Sequence, residues 1–278
     1  MKPINVTEDC LQRITNTLDA YSIPFFADKP PKNLVANGTL AEFGESVGII
    51  TAAHILKDES FQKENKFYLI TFSGEFLVFQ LSSLKVTVQE NQNPLHNSEC
   101  PDIALIELPC RYSHLRANKF FNLDTQRNEV LRTRHEPKDA YATNGVLPYV
   151  EGFFTSEEEK VRNPSKSPQG MCGIGAREQS FNSNGWDGFR IKVNFNIGSG
   201  FGRDFSCYSG TGVWKVRIIS DKPDAAGNAF ENPLFYGAIF NQENGINNSC
   251  KLTCHGPKSI YRLYDLHRAR FSIGWNPS

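Results

Sequence analysis

The sequence has no run approaching the roughly 18 to 20 apolar residues of a membrane-spanning helix. Its start, MKPINVTEDCLQRI, lacks the basic, apolar and small-residue zones of a secretory leader. Charge of one sign is also missing: 30 Lys and Arg face 30 Asp and Glu, with no basic run and no acidic tail. Nucleic acids and membrane surfaces recruit proteins through clustered charge, so neither is an expected partner. A disulfide framework is not evident either. The seven cysteines are odd in number and scattered, which suits free thiols in a reducing compartment, and the expected location is cytoplasmic. No repeat of fixed period runs through the chain. GSGFG at 198–202 is not followed by Lys-Ser/Thr or by a helical pattern, so it is not a phosphate loop.

What is present is β-rich. The chain has 278 residues, with 21 Gly, 15 Pro and 21 Phe, a balance that suits short strands and turns better than a helical bundle. Leu11, Ile14 and Leu18 recur at helical spacing behind Glu8 and Asp9, which predicts a short amphipathic helix over 5–20. SVGIITAAH, KFYLITF, GEFLVFQL, LKVTVQE and DIALIEL then read as strands, with FSG marking a turn between two of them. Residues 111–130 are polar and without clean alternation, the candidate linker between two halves. A second β series follows in YVEGFFTS, FRIKVNFNI, TGVWKVRII and LFYGAIFN, and 156–188 reads as long polar surface loops.

Three stretches carry chemistry. TAAHIL sets His54 at the end of an apolar strand, CPDIALIELP sets Asp102 at the mouth of another, and SCYSGTGVW sets Ser209 before small residues. Each has an ordinary structural reading: a core histidine, a strand-capping acid, a glycine-rich bend. In the last stretch the nucleophile could be Ser209 or Cys207. A buried carboxylate needs hydrogen-bond donors and an imidazole N–H is one, while glycines beside a hydroxyl allow a tight turn that aims backbone N–H groups at one point. His54, Asp102 and Ser209 also stand in one of the convergent triad orders, with intervals of 48 and 107 residues. CKLTCH offers Cys250, Cys254 and His255 as possible metal ligands. A structural zinc usually takes four, so the segment reads as a loop with free or disulfide-paired cysteines, and neither metal nor cofactor is expected.

On these residues the chain resembles the trypsin-like, chymotrypsin-fold serine peptidases, especially the non-secreted bacterial type. TAAH is similar to the family's histidine motif, DIALIEL to its Asp-Ile-Ala-Leu strand, and CYSGTGVW to its Gly-Asp-Ser-Gly-Gly-Pro box. LFYGAIFN, HGPKSIYRL and YVEGFFTS are similar to its pocket-lining strand, its Gly-Pro-x-x-Tyr segment and a turn early in its second barrel. The resemblance spans about 22–265 and implies an all-β fold of two six-stranded antiparallel barrels with a short N-terminal helix. Its division would be 1–21 for the helical extension, 22–115 for the first barrel, and 116–278 for the linker and second barrel. It implies Ser209 as nucleophile, His54 as general base and acid, and Asp102 as the orienting acid. The backbone N–H groups of Cys207 and Ser209 would form the oxyanion hole, and Phe240, Asn241 and Gln242 would offer backbone to an extended substrate. The glycine after the nucleophile aligns with Ser209, which favours it over Cys207. Cys207 replaces the glycine of the oxyanion loop, Tyr208 the aspartate that senses zymogen cleavage, and Thr211 the second glycine of the box. The pocket base falls at Arg203 or Asp204, whose charges are opposite. The implied activity is a serine endopeptidase acting on peptide or protein substrates, with regulation, if any, from a separate protein. Its alternative is a catalytically silent or partner-gated protease-fold module that binds peptides or proteins.

Overall fold

The alternating apolar runs assemble into two β units that close in different ways. A computed structural model of the chain describes residues 7–28, 34–71, 76–90, 101–112, 115, 119–133, 139–146, 170–183, 185–195, 208–217, 230, 233–244 and 249–271. The first unit is a sheet of β1 (Ser22–Phe26), β2 (Leu34–Phe43), β3 (Ser46–Thr51), β4 (Lys66–Ile70), β5 (Phe76–Gln80), β6 (Lys85–Glu90), β7 (Asp102–Leu108) and the short β8 (Phe121–Asn122). Its path runs β5-β4-β1-β2-β3-β7-β6, with β8 parallel to β2. The two ends of that path are consecutive in the chain, joined by the helical turn Leu81–Ser83 and Leu84. That corner carries the chain from one edge to the other without folding β6 back onto β5. The sheet therefore curls into a half-barrel of eight strands, where a closed six-stranded barrel was expected.

The second unit does close. β9 (Asp139–Val146), β10 (Gly170–Ser183), β11 (Trp186–Phe195), β12 (Gly212–Arg217), β13 (Leu234–Asn244) and β14 (Ser249–His255) form a six-stranded antiparallel barrel in the order β10-β11-β14-β13-β12-β9. The FSG turn, YVEGFFTS and GSGFG lie outside the described residues.

The strand β7 shows why one sequence run is apolar throughout. Ala104, Ile106 and Leu108 pack with Phe25, Leu40 and Phe67 inside the curled sheet. Ile103 and Leu105 point the other way and join Val213, Trp214 and Ile239 of the barrel. A strand buried on both faces loses the apolar–polar alternation, and DIALIEL is the result. β3 divides in the same way, with Ile49 in one cluster and Ile50 in the other. The two units thus share an apolar seam along β3 and β7.

Four α-helices lie among the described residues, and the sequence pattern shows them only in part. In α1 (Glu8–Asp19) the Thr7 hydroxyl accepts the Cys10 N–H at 3.3 Å, capping the first turn. Its buried face is Cys10, Ile14 and Leu18, so the stripe is rotated by one residue from the expected Leu11 and Leu11 is only partly covered. α2 (Glu59–Glu64) follows the turn after β3. The expected linker 111–130 instead holds β8 and most of α3 (Leu123–Arg132), which Asn122 caps by accepting the Thr125 N–H at 2.8 Å. The expected loops at 156–188 contain β10 and the start of β11. The polar side chains Glu178, Gln179 and Ser180 are exposed, which hides the strand pattern.

The Gly-Pro-x-x-Tyr segment is the start of α4 (Pro257–Phe271). Asp187 of β11 accepts the Ser259 N–H at 2.6 Å and the Lys258 N–H at 3.3 Å, and the Ser259 hydroxyl donates to the Asp187 carbonyl at 2.7 Å. Those bonds satisfy backbone donors that a helix start leaves open. Near its other end, His267 reaches Thr87 at 2.9 Å and Glu107 at 3.0 Å in the first sheet. α4 is therefore a strap across both units.

Candidate active site

Antiparallel register explains how His54 and Asp102, 48 residues apart, become neighbours. Thr51 at the end of β3 pairs with Ala104 of β7. Continuing that register past both strand ends brings the residue before His54 opposite Asp102. After β3 the chain tightens into the helical turn Ala53–Lys57, in which Ala53, Ile55 and Leu56 are buried. The interruption leaves His54 outward, its side chain 47% exposed, while that of Asp102 is 20% exposed.

The carboxylate holds His54 at two points. One oxygen, Oδ1, accepts the His54 backbone N–H at 2.8 Å, and Oδ2 lies 2.6 Å from Nδ1 of the ring. The geometry places the proton on Nδ1 and leaves Nε2 with its lone pair, the tautomer a general base requires. Burial pushes the Asp102 carboxyl up, but the hydrogen bonds from the His54 ring and backbone and the nearby imidazoles outweigh it. The acid ends below its usual range and stays ionised at neutral pH.

Ser209 comes from the barrel, on the turn leading into β12, and is buried at 7% exposure. Both of its neighbours are pinned. Tyr208 is fully buried, and its phenolic oxygen accepts the Gly145 N–H of β9 at 3.1 Å. Gly145 leaves the room for that ring, since a Cβ there would lie 2.8 Å from Tyr208 Cε2. Tyr208 thus anchors the turn inside the barrel. Burial raises its phenol well above the usual value, so it remains protonated.

Gly210 has φ +84°, a conformation that favours glycine, and its N–H donates to the Ile239 carbonyl at 2.7 Å. A Cβ on it would lie 2.0 Å from the Asn37 carbonyl oxygen and 2.2 Å from Thr51 Oγ1. The carbonyl of Ser209 accepts the Asn37 N–H at 3.0 Å. The serine turn is therefore docked on β2 and on the last residue of β3, three residues ahead of His54.

Cys207, Arg203 and Asp204 lie outside the described residues. Phe240 is only 7% exposed and sits at a bulge, where the pairing to β14 shifts register between Ile239 and Asn241. Its ring stacks on His255 with centroids 4.3 Å apart and packs into the core of the first sheet. Asn241 is exposed, Gln242 is half-buried, and the Gln242 N–H donates to Asn241 Oδ1 at 2.8 Å. CKLTCH is not a loop: it forms β14, with Cys250 and Cys254 buried. Those two, Cys10, Cys110 and Cys172 are free thiols. Among the described residues no three His, Cys, Asp or Glu side chains gather as a metal site, and no helix is long and apolar enough to cross a membrane.

In the sequence His255 stands out only as a possible metal ligand. The structure sets its Nε2 3.0 Å from the Asp102 backbone nitrogen, whose N–H it accepts. Of the residues that seat the serine turn, Thr51 carries no sequence signal beyond its strand-like run, and Asn37 lies in β2, a strand the sequence pattern did not announce. A side chain bonding to backbone across 153 residues leaves no periodicity to read. No protein-family model matches the chain, and no curated protein matches it.

Proposed function

We propose that the chain is a serine endopeptidase of the chymotrypsin-like kind, hydrolysing peptide bonds through Ser209, His54 and Asp102 without metal or cofactor. The observation that carries the reading is the two-point grip of Asp102 on His54, at 2.8 Å to the backbone and 2.6 Å to the ring. A carboxylate so disposed orients an imidazole for proton transfer. The docking of the serine turn on Thr51, at the root of the His54 segment, supports the same reading. So does the motif resemblance in TAAH, DIALIEL and CYSGTGVW.

In the proposed mechanism Ser209 Oγ attacks the carbonyl carbon while His54 Nε2 takes its proton. The tetrahedral oxyanion is proposed to be held by the backbone N–H groups of Cys207 and Ser209. Its collapse breaks the C–N bond, the leaving amine takes the proton from His54, and an acyl-Ser209 ester remains. Water, deprotonated by His54, then attacks the ester, and Ser209 recovers its proton as the acid departs. Asp102 stays ionised throughout, keeping the imidazolium oriented and stabilised. The exposed Asn241 and half-buried Gln242 at the β13 bulge are proposed to offer backbone to an extended peptide.

Reaction with a serine-directed fluorophosphonate tests the reading. Wild-type protein is expected to label, and Ser209→Ala and His54→Ala are expected to abolish labelling. In a comparable triad, loss of either partner costs about 10⁶-fold in turnover. A folded wild-type protein that does not label, alone or with candidate partners, refutes the enzyme reading and leaves the peptide-binding module. Fragments that accumulate with wild type but not with Ser209→Ala would then identify the substrate class.

A further inference from the structure

We propose that His255 is a positioning residue for this site: as a neutral imidazole it accepts the Asp102 backbone N–H, and so fixes the carboxylate that orients His54. The inference rests on the reading of Ser209, His54 and Asp102 as a catalytic set and deepens it.

Four observations carry it. The Asp102 N–H to His255 Nε2 distance is 3.0 Å, an ordinary hydrogen bond. His255 is the last residue of β14 and pairs in register with Gly188 of β11 and Ala238 of β13, so its backbone is set by the barrel. The packing beside it is tight: a Cβ on Gly237 would come within 2.2 Å of the His255 carbonyl oxygen. Its ring is covered on one face by Phe240, at 27° to the ring plane, and the residue is 3% exposed. Phe240 in turn packs with the core of the first sheet, so the ring cannot turn without moving both units.

The chemistry requires one protonation state. Accepting an N–H needs the Nε2 lone pair, which leaves the proton on Nδ1. Burial holds the imidazole in that neutral form, pushing its pKa down to about 4 against the pull of Asp102. His255 is therefore a fixed acceptor across neutral pH and not a second base.

The bond also spans the two units in a useful direction. Ser209 belongs to the barrel, whereas His54 and Asp102 belong to the curled sheet. Catalysis needs nucleophile and base registered to within about half an ångström. The chain of contacts from β14 through His255 to Asp102 and then His54 ties the base pair to the unit that carries the nucleophile.

The test compares His255→Leu, which removes the acceptor, with His255→Gln, whose amide oxygen can replace it. The readouts are the fluorophosphonate labelling rate and the low-field proton resonance of His54 Nδ1–H against Asp102. His255→Leu is expected to slow labelling by about 10- to 100-fold, the range that loss of an outer-shell partner costs in metal sites, and to shift or broaden the resonance. His255→Gln is expected to restore both. Equal behaviour of the two folded variants, or no change in either, overturns the inference.

¹⁵N-histidine spectra of the wild type need no variant to fold: Nε2 of His255 must be unprotonated and Nδ1 protonated, and the opposite tautomer overturns the assignment. The low-field resonance requires no reaction at Ser209. A wild type that shows it without labelling refutes the peptidase reading, and the resonance in the variants still decides the role of His255.

Discussion

Lowering the pH from about 7.5 to about 5 should destabilise the fold through His255 alone by about 2 kcal/mol. The imidazole has its pKa lowered from 6.5 to about 4 by burial, with Asp102 opposing. A depressed histidine binds fewer protons folded than unfolded. Its effect is therefore nil well above 6.5, grows as the pH falls through that value, and levels off below about 4. Near pH 5 the unfolded ring is almost fully charged and the folded ring almost fully neutral, a gap of about 1.5 pH units at ~1.4 kcal/mol each. The residue is 3% exposed, so solvent does little to screen this.

The assay is urea denaturation at the two pH values for wild type and His255→Gln, which keeps an acceptor but does not titrate. His267, also depressed by burial against the pull of Glu107, is present in both proteins and cancels. Asp102, held below its usual range, loses its contribution only at lower pH than this window. The wild type should therefore lose about 2 kcal/mol more than the variant between the two conditions. An equal loss in both refutes a buried, neutral His255.

Two substitutions at the serine turn follow from its packing. Gly210→Ala sets a Cβ at φ +84° and 2.0 Å from the Asn37 carbonyl oxygen. The left-handed backbone costs about 1–2 kcal/mol and the overlap about 1–3 more, so a destabilisation of roughly 2–5 kcal/mol is expected by urea melt. Fluorophosphonate labelling should fall with it, and unchanged labelling would show that the turn is not seated as described. Tyr208→Phe keeps the ring but leaves the buried Gly145 N–H without its phenolic acceptor. A loss of about 1–3 kcal/mol is expected, together with faster amide exchange at Gly145; exchange as slow as in wild type would contradict the anchor.

How much of this was legible depends on the range over which each feature is encoded. DIALIEL announced a strand because five apolar residues in seven fit a pleated, doubly buried position, and β7 is that strand. The His54–Asp102 pairing was legible because His54 ends one strand-like run and Asp102 begins another. α3 and α4 were hidden for the opposite reason: their exposed faces carry Arg127, Arg132, Asp265 and Arg268, and their caps come from Asn122 and the distant Asp187. The second closed barrel was inferred by resemblance, and nothing in the strand pattern distinguishes a closed sheet from one that curls to a corner at Leu81–Leu84.

CKLTCH shows the limit most clearly. Cys and His at short spacing suggest ligands, and that signal masks a strand in which Cys fills space. Cys254 is buried in the barrel, with its thiol raised well above the usual value by burial and by Cys250, which leaves it a small apolar filler. His255, one residue on, faces the seam between the units instead. What decides its role is the backbone N–H of a residue 153 positions earlier, brought within 3.0 Å by the packing of β14 against the start of β7. The same segment therefore contributes a core residue and a site residue in succession, because adjacent strand positions face opposite sides. Moving the strand register by one residue would exchange them, burying a thiol at Asp102 and an imidazole among Leu252 and Cys250. The unpaired Asp102 N–H left by such a slip is one reason that this register, and with it the orientation of His54, is held.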